Sequence, residues 1–268
     1  MIQAIRHYLL ALQFFTRIPI TGKLAEWVGF SPAMLRASAG HFPGVGVLVG
    51  AVAAGLYGLL ALLLPESPLS PLVAAALSTV ATVLLTGGFH EDGLADVADG
   101  LGGSYDKARA LEIMKDSRVG AFGAMALSLA LLSKVALIAL LGSLDMALLT
   151  LCSALFAAHV VSRTLPLLLI AWLPHVGDSA ASKSKPLADQ ISPSSLLTAF
   201  LWCFVAIAPV LWALNAIYLI VACSLSLIAL LWMYRLFKRR LQGFTGDCLG
   251  AAQQVCEIAF YLGLAIAL

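Results

Sequence analysis

The chain has 268 residues, of which 61% are hydrophobic and only 11% charged, with a formal net charge of +2. Ordinary soluble domains carry roughly a quarter charged residues, so a chain of this makeup has too little polar surface to cover itself in water. An integral membrane protein follows, and the small net charge without a basic tract excludes nucleic acid as a partner.

At the amino end, Arg6 is followed by a short apolar stretch and then by Thr16, Arg17 and Pro19, without the small-residue pattern of a signal-peptide cleavage site. Residues 2–15 read as an amphipathic helix lying at the membrane interface. Apolar runs long enough to cross the hydrocarbon layer follow at 43–65, 71–89, 121–142, 147–171, 196–214, 216–234 and 250–268. Residues 196–234 as one helix would reach roughly 58 Å, too long for one crossing, so this run is divided near Asn215. The expected fold is all-α: a polytopic bundle of about seven transmembrane helices in one domain, 1–268, without internal repeat or linker. In the first crossing Gly46, Gly50, Ala54 and Gly58 recur every four residues, a stripe that lets helix backbones approach closely. Cys152, Cys203, Cys223, Cys248 and Cys256 form no Cys-x-x-Cys pair and are expected as reduced, unbridged core residues.

Charge orients the crossings. Alternate connections carry Arg6, Arg17, Lys23 and Arg36; then Lys107, Arg109, Lys115 and Arg118; then Lys183 and Lys185; then Arg235, Lys238, Arg239 and Arg240. The opposite connections, at 66–70, 143–146 and around 215, contain neither Lys nor Arg. By the positive-inside rule the amino terminus faces the cytoplasm and the carboxyl terminus faces out.

Between the second and third crossings lies a concentration of acid. Glu91, Asp92, Asp96, Asp99, Asp106, Glu112 and Asp116 are half of the chain's fourteen acidic residues. Carboxylates are costly at a membrane boundary unless paired or bound to a cation. Asp92, Asp96 and Asp99 are spaced i, i+4, i+7, on one narrow helical face, where they repel one another and raise each other's pKa. A divalent cation reverses that penalty. Asp92 and Asp99 are about 10 Å apart along the axis, too far to grip one ion together, but neighbouring pairs can each help hold a metal. Oxygen-only donors, with His90 the lone nearby imidazole, favour Mg²⁺ over Zn²⁺. Glycines at 87, 88, 93, 100, 102 and 103 are expected to bracket the helix and let phosphate approach the backbone.

Further along, Asp116 is a candidate metal oxygen and Arg118 a candidate phosphate clamp, the alternative being a surface pair between them. Lys134 lies midway in the third crossing, and Arg163, one turn after His159, in the fourth. Cations at that depth call for a polar cavity or a structural partner, and phosphate binding suits both. Gly243-Phe244-Thr245-Gly246-Asp247-Cys248-Leu249-Gly250 precedes the last helix, where Gln253, Gln254 and Glu257 follow. Glycines before a helix suit anion or metal contact, and Glu257 is a carboxylate inside the final crossing. His7, His41 and His175 are read as interfacial.

These residues together resemble the cobalamin synthase family, adenosylcobinamide-GDP ribazoletransferase. The likeness rests on Phe14-Phe15-Thr16-Arg17-Ile18-Pro19, Phe42-Pro43-Gly44-Val45-Gly46, Gly87 through Gly100, Met114 through Gly120, Lys134, Ser162-Arg163, and Thr245-Gly246-Asp247 through Gly250. It has two departures: Glu91 stands where the family commonly has an apolar residue, and Gln254 where a Glu is expected. The resemblance implies transfer of adenosylcobinamide-GDP onto α-ribazole or its 5′-phosphate with release of GMP, requiring Mg²⁺, as the nucleotide-loop assembly step of cobalamin synthesis. It implies Mg²⁺ on Asp92, Asp96 and Asp99, with Asp116 or Asp247 taking the hydroxyl proton. Substrate contacts fall to His90, Arg118, Lys134, Arg163 and Glu257. The site would face the cytoplasm from the inner membrane, within the lipid bilayer. Membrane phosphotransferases that displace CMP from a CDP-alcohol use a similar Asp-x-x-x-Asp arrangement, but this chain lacks the Ala-Arg element expected after their opening Asp-Gly. A cation-coupled transporter would place its ligand carboxylates near mid-membrane rather than at the cytoplasmic edge.

Overall fold

The computed structural model describes residues 2–177 and 190–268, and the only β feature among them is a single bridge between His175 and Phe244. Everything else regular is helical. In chain order the helices are α1 (Ile2–Phe15), α2 (Gly22–Val28), α3 (Pro32–Ser38), α4 (Phe42–Leu63), α5 (Ser70–Thr86), α6 (Phe89–Gly103) and α7 (Lys107–Ile113). There follow α8 (Ala121–Ser143), α9 (Leu148–Thr164), α10 (Leu167–Trp172), α11 (Pro193–Ile207), α12 (Ala216–Arg240) and α13 (Gly246–Ala267). Among the described residues six segments are long and apolar enough to cross a membrane, or seven if the bent pair α5–α6 counts as one. The expected connection bearing Lys183 and Lys185 lies outside the described residues.

The boundaries follow local chemistry. Asn215 does divide the long apolar run: its Oδ1 accepts the Ile217 N–H at 3.0 Å and starts α12. Ser192 caps α11, Ser31 caps α3 and Thr245 caps α13, with Pro at the first helical position of the first two. The second crossing differs from its expected extent. It ends at Thr86, because Gly87 and Gly88 both take left-handed backbone angles, and the chain resumes as α6 after a turn of 89°. The acidic segment is therefore one helix swung across the end of the bundle. Gly93, Gly100, Gly102 and Gly103 lie inside it rather than bracketing it, so their work is close packing and not backbone presentation to phosphate.

The small-residue stripe of α4 lies against α9. A Cβ on Gly46 would sit 2.6 Å from the His159 carbonyl oxygen, and one on Gly50 2.8 Å from that of Phe156. Lower down, Cys152 donates its thiol to the Ala54 carbonyl at 3.4 Å, and all five cysteines are free. α9 and α13 are the most enclosed crossings, while α8 and α11 turn mostly apolar side chains outward, among them Leu129, Leu132, Phe204 and Val205. An apolar exterior around a more polar interior is the arrangement a lipid solvent selects. α1 is tied down at both ends: Arg6 Nε donates to the Val28 carbonyl at 2.9 Å, and the Arg17 N–H to the Leu85 carbonyl at 2.7 Å.

Replacing Gly50 by Leu forces α4 from α9 and lowers the thermal midpoint in detergent, by the ~1–3 kcal/mol typical of overpacking. Gly55→Leu on the same helix, where a Cβ meets nothing within 4 Å, leaves it undiminished.

Candidate active site

α6 carries Asp92 exposed, Asp96 half-buried and Asp99 buried, a gradient that follows from its packing against α8 and α13. At Gly93 the first turn of α13 presses so close that a Cβ would lie 2.8 Å from the Asp247 carbonyl oxygen. This contact brings Asp247 to the acidic ridge. Asp247 stands within electrostatic reach of Asp96, as do Asp92 and Asp99. One Asp247 oxygen accepts the Thr245 hydroxyl at 3.3 Å.

Asp99 is differently employed. Its two oxygens accept the N–H groups of Gly120 at 2.7 Å and Gly123 at 2.8 Å, where α8 begins. A carboxylate at a helix N-terminus is favoured by the orphan donors and the helix dipole. A side chain at Gly120 or Gly123 would collide with this carboxylate. The third member of the acidic ladder is thus a clasp between α6 and α8.

The Asp92 and Asp96 carboxylates have no hydrogen bond or ion pair among the described residues, and no three His, Cys, Asp or Glu side chains there are closed around one metal position. That donor set fits Mg²⁺: the ion prefers oxygen, and is commonly held by one or two carboxylates together with substrate phosphates and water rather than by an all-protein cage. The carboxylates available to it are Asp92, Asp96 and Asp247.

Asp116 and Arg118 form the surface pair. Arg118 Nη2 lies 2.5 Å from Asp116 Oδ2, and both side chains reach solvent. The Arg118 side chain first, and its backbone N–H second, hold the Asp116 carboxyl down at about 2. Being depressed, this carboxyl favours the folded form above the ordinary carboxylate range, and that contribution fades as pH falls towards 2. The pair is exposed, so its effect on stability is slight.

Lys134, Arg163 and Glu257 are brought together, but around one another. Lys134 Nζ lies 2.6 Å from Glu257 Oε1, both side chains being almost wholly enclosed. Glu257 also accepts Gln253 Nε2 at 2.8 Å and the Tyr261 hydroxyl at 3.3 Å, and His159 Nδ1 stands 3.5 Å away. Arg163 Nη1 donates to His159 Nδ1 at 3.0 Å and to the His159 carbonyl at 3.2 Å, its guanidinium over the Phe42 ring. Lys134 and Glu257, expected to touch substrate, neutralise each other between α8 and α13. Desolvating either charge alone is prohibitive, which is why they meet. His90 is likewise enclosed, stacked on Phe42 with centroids 5.6 Å apart, and neither ring nitrogen has a hydrogen-bond partner.

Several participants escaped the sequence reading. Tyr261 lies four residues after Glu257, on the same helical face, and that spacing was the available signal. Arg240, read only as inside-positive charge, donates to the carbonyls of Leu101 at 2.9 Å and Ser104 at 2.7 Å and so closes the end of α6. Glu91 bonds Gln254 across the α6–α13 contact at 2.9 Å.

The fold and this site define a multi-pass membrane protein with an acidic, oxygen-donor site where α6 meets the start of α13. The chain belongs to the cobalamin-5-phosphate synthase family, whose description matches residues 7–265. It is 71% identical over 99% of its length to the adenosylcobinamide-GDP ribazoletransferase of Polaromonas sp. strain JS666, of which 98% is covered. The protein of the same name from Albidiferax ferrireducens is 64% identical, with both chains covered in full. That from Vibrio cholerae is 39% identical over 95% of this chain and 91% of its own. No solved structure matches the chain.

Glu257→Gln strands the Lys134 charge in the bundle and destabilises the protein by about 3–5 kcal/mol, read as the thermal midpoint in detergent. Adding Lys134→Met recovers most of that loss.

Proposed function

We propose that this chain joins adenosylcobinamide-GDP to α-ribazole or its 5′-phosphate, releasing GMP, at the cytoplasmic face of the inner membrane. The observation that carries this reading is the meeting of Asp92 and Asp96 with Asp247, on helices far apart in sequence, within a chain that belongs to the cobalamin-5-phosphate synthase family. The relatives' shared name supplies the substrates. The inside-positive distribution of Arg17, Lys107, Arg235 and their neighbours supports the cytoplasmic assignment.

The transfer is a substitution at phosphorus. A ribazole hydroxyl oxygen bonds to the phosphorus nearer the cobinamide, the bond from that phosphorus to the bridging oxygen breaks, and GMP leaves with the electron pair. Mg²⁺ bound at this site would neutralise the diphosphate and the departing GMP. Asp92, Asp96 and Asp247 are the residues that would hold it. Asp99 fixes the register of α6 against α8 and so the height of Asp96 and Asp92. The hydroxyl proton passes to a carboxylate of the site, for which Asp247, half-enclosed and held by Thr245, is well placed. Arg118, at the surface beside the third crossing, is a phosphate ligand once substrate competes for its pairing with Asp116.

The test is an assay of the purified chain in detergent with adenosylcobinamide-GDP, α-ribazole and Mg²⁺. The expected result is stoichiometric GMP and cobamide, abolished by EDTA and restored by added Mg²⁺. Asp96→Asn should lower kcat about a hundredfold or more, the scale of losing one group that stabilises transition-state charge. No GMP from the wild-type protein overturns the proposal.

A further inference from the structure

Beside the acidic ridge, a cavity of about 550 Å³ opens between α1, α5, α6 and α8. Its volume is that of a small-molecule site. Gln13, Arg17, Glu91 and Asp92 give it a polar side, and Leu127 and Leu131 of α8 an apolar wall. Asp92, the exposed acid of the metal-binding set, therefore opens onto this space.

Glu91 is its unexplained member. The side chain is only 6% exposed, Oε1 accepts Gln254 Nε2 at 2.9 Å, and Oε2 has no partner. A buried carboxylate oxygen left without a donor costs free energy that a ligand hydroxyl would return. The residue is also held ready. Gln254 Nε2 donates to Gln253 Oε1 at 2.9 Å, and Gln253 donates to Glu257, so Glu91 is coupled through two amides to the buried Lys134–Glu257 pair. A side chain fixed in this way is preorganised for a ligand.

The two departures from the resemblance are neighbours in space. Glu91 stands where an apolar residue is expected and Gln254 where a Glu is expected, and here the two side chains touch.

We infer that this cavity receives the hydroxyl-bearing acceptor, a nucleoside or its phosphate ester, and that Glu91 Oε2 accepts a hydrogen bond from a ribose hydroxyl other than the one that attacks. The inference rests on the reaction proposed above for its choice of acceptor. Asp92, the next residue, then stands at the border between acceptor and diphosphate. Arg17, exposed where α1 meets Gly87, supplies positive charge at the same wall.

The experiment measures equilibrium binding of α-ribazole to the purified full chain in detergent, without Mg²⁺ or nucleotide, and then steady-state kinetics. Glu91→Gln, which preserves shape, should weaken α-ribazole binding about tenfold or more, the fold-change of losing a hydrogen bond to a charged group. The KM for acceptor should rise in parallel while that for adenosylcobinamide-GDP stays put. The exchange Glu91→Leu with Gln254→Glu should return acceptor affinity to within about threefold of wild type. Unchanged affinity in Glu91→Gln overturns the inference, as does a wild-type chain that binds no α-ribazole. It is equally overturned if the exchange variant keeps the wild-type thermal midpoint yet fails to bind. Binding that follows this pattern without any GMP release leaves the acceptor cavity standing and removes the proposed reaction.

Discussion

Lys134 and Glu257 carry opposite charges into the most enclosed part of the bundle, and the rest of the site depends on their meeting. Neither charge is tolerable there alone. At 2.6 Å their contact fastens α8 to α13, while Gln253, Tyr261 and His159 surround the carboxylate. Two further contacts complete a triangle of helices. Asp99 ties α6 to the start of α8, and Gly93 lets α6 and the start of α13 touch along their backbones. With three helices fixed pairwise, the height at which Asp92, Asp96 and Asp247 face one another is set.

The charges inside this triangle are unequally settled. Deep in the bundle each cation has an anion or a polar cradle, as Lys134 has Glu257 and Arg163 has His159. At the acidic ridge the balance is negative, because Arg118 is spent on Asp116. Carboxylates left crowded at the edge of the fold suit the cation and the phosphates of the proposed reaction. Rigidity beneath and unsatisfied charge above are the usual conditions of a preorganised site.

Much of this was legible in the chain. The crossings and the break near Asn215 follow from apolar length, and the ridge of α6 from the spacing of Asp92, Asp96 and Asp99. The α4–α9 contact was written in Gly46 and Gly50. What could not be read were partnerships between distant segments. Nothing in local spacing says that Lys134 meets Glu257, that Asp99 turns to the N–H groups of Gly120 and Gly123, or that Gly93 serves the approach of Asp247 rather than of phosphate. A buried charge announces only that it needs a partner, and a glycine only that something comes close. The 89° turn at Gly87–Gly88 is of the same kind: paired glycines mark a break, but the direction is chosen by the helices α6 must pack against.

Manganese(II) binding followed by EPR on the purified chain tests the proposed metal site between α6 and α13 most directly. Wild-type protein should take up Mn²⁺, release it to excess Mg²⁺, and lose this uptake in the double variant Asp92→Asn/Asp247→Asn while keeping its thermal midpoint. Undiminished, Mg²⁺-displaceable uptake in that folded double variant would contradict the site.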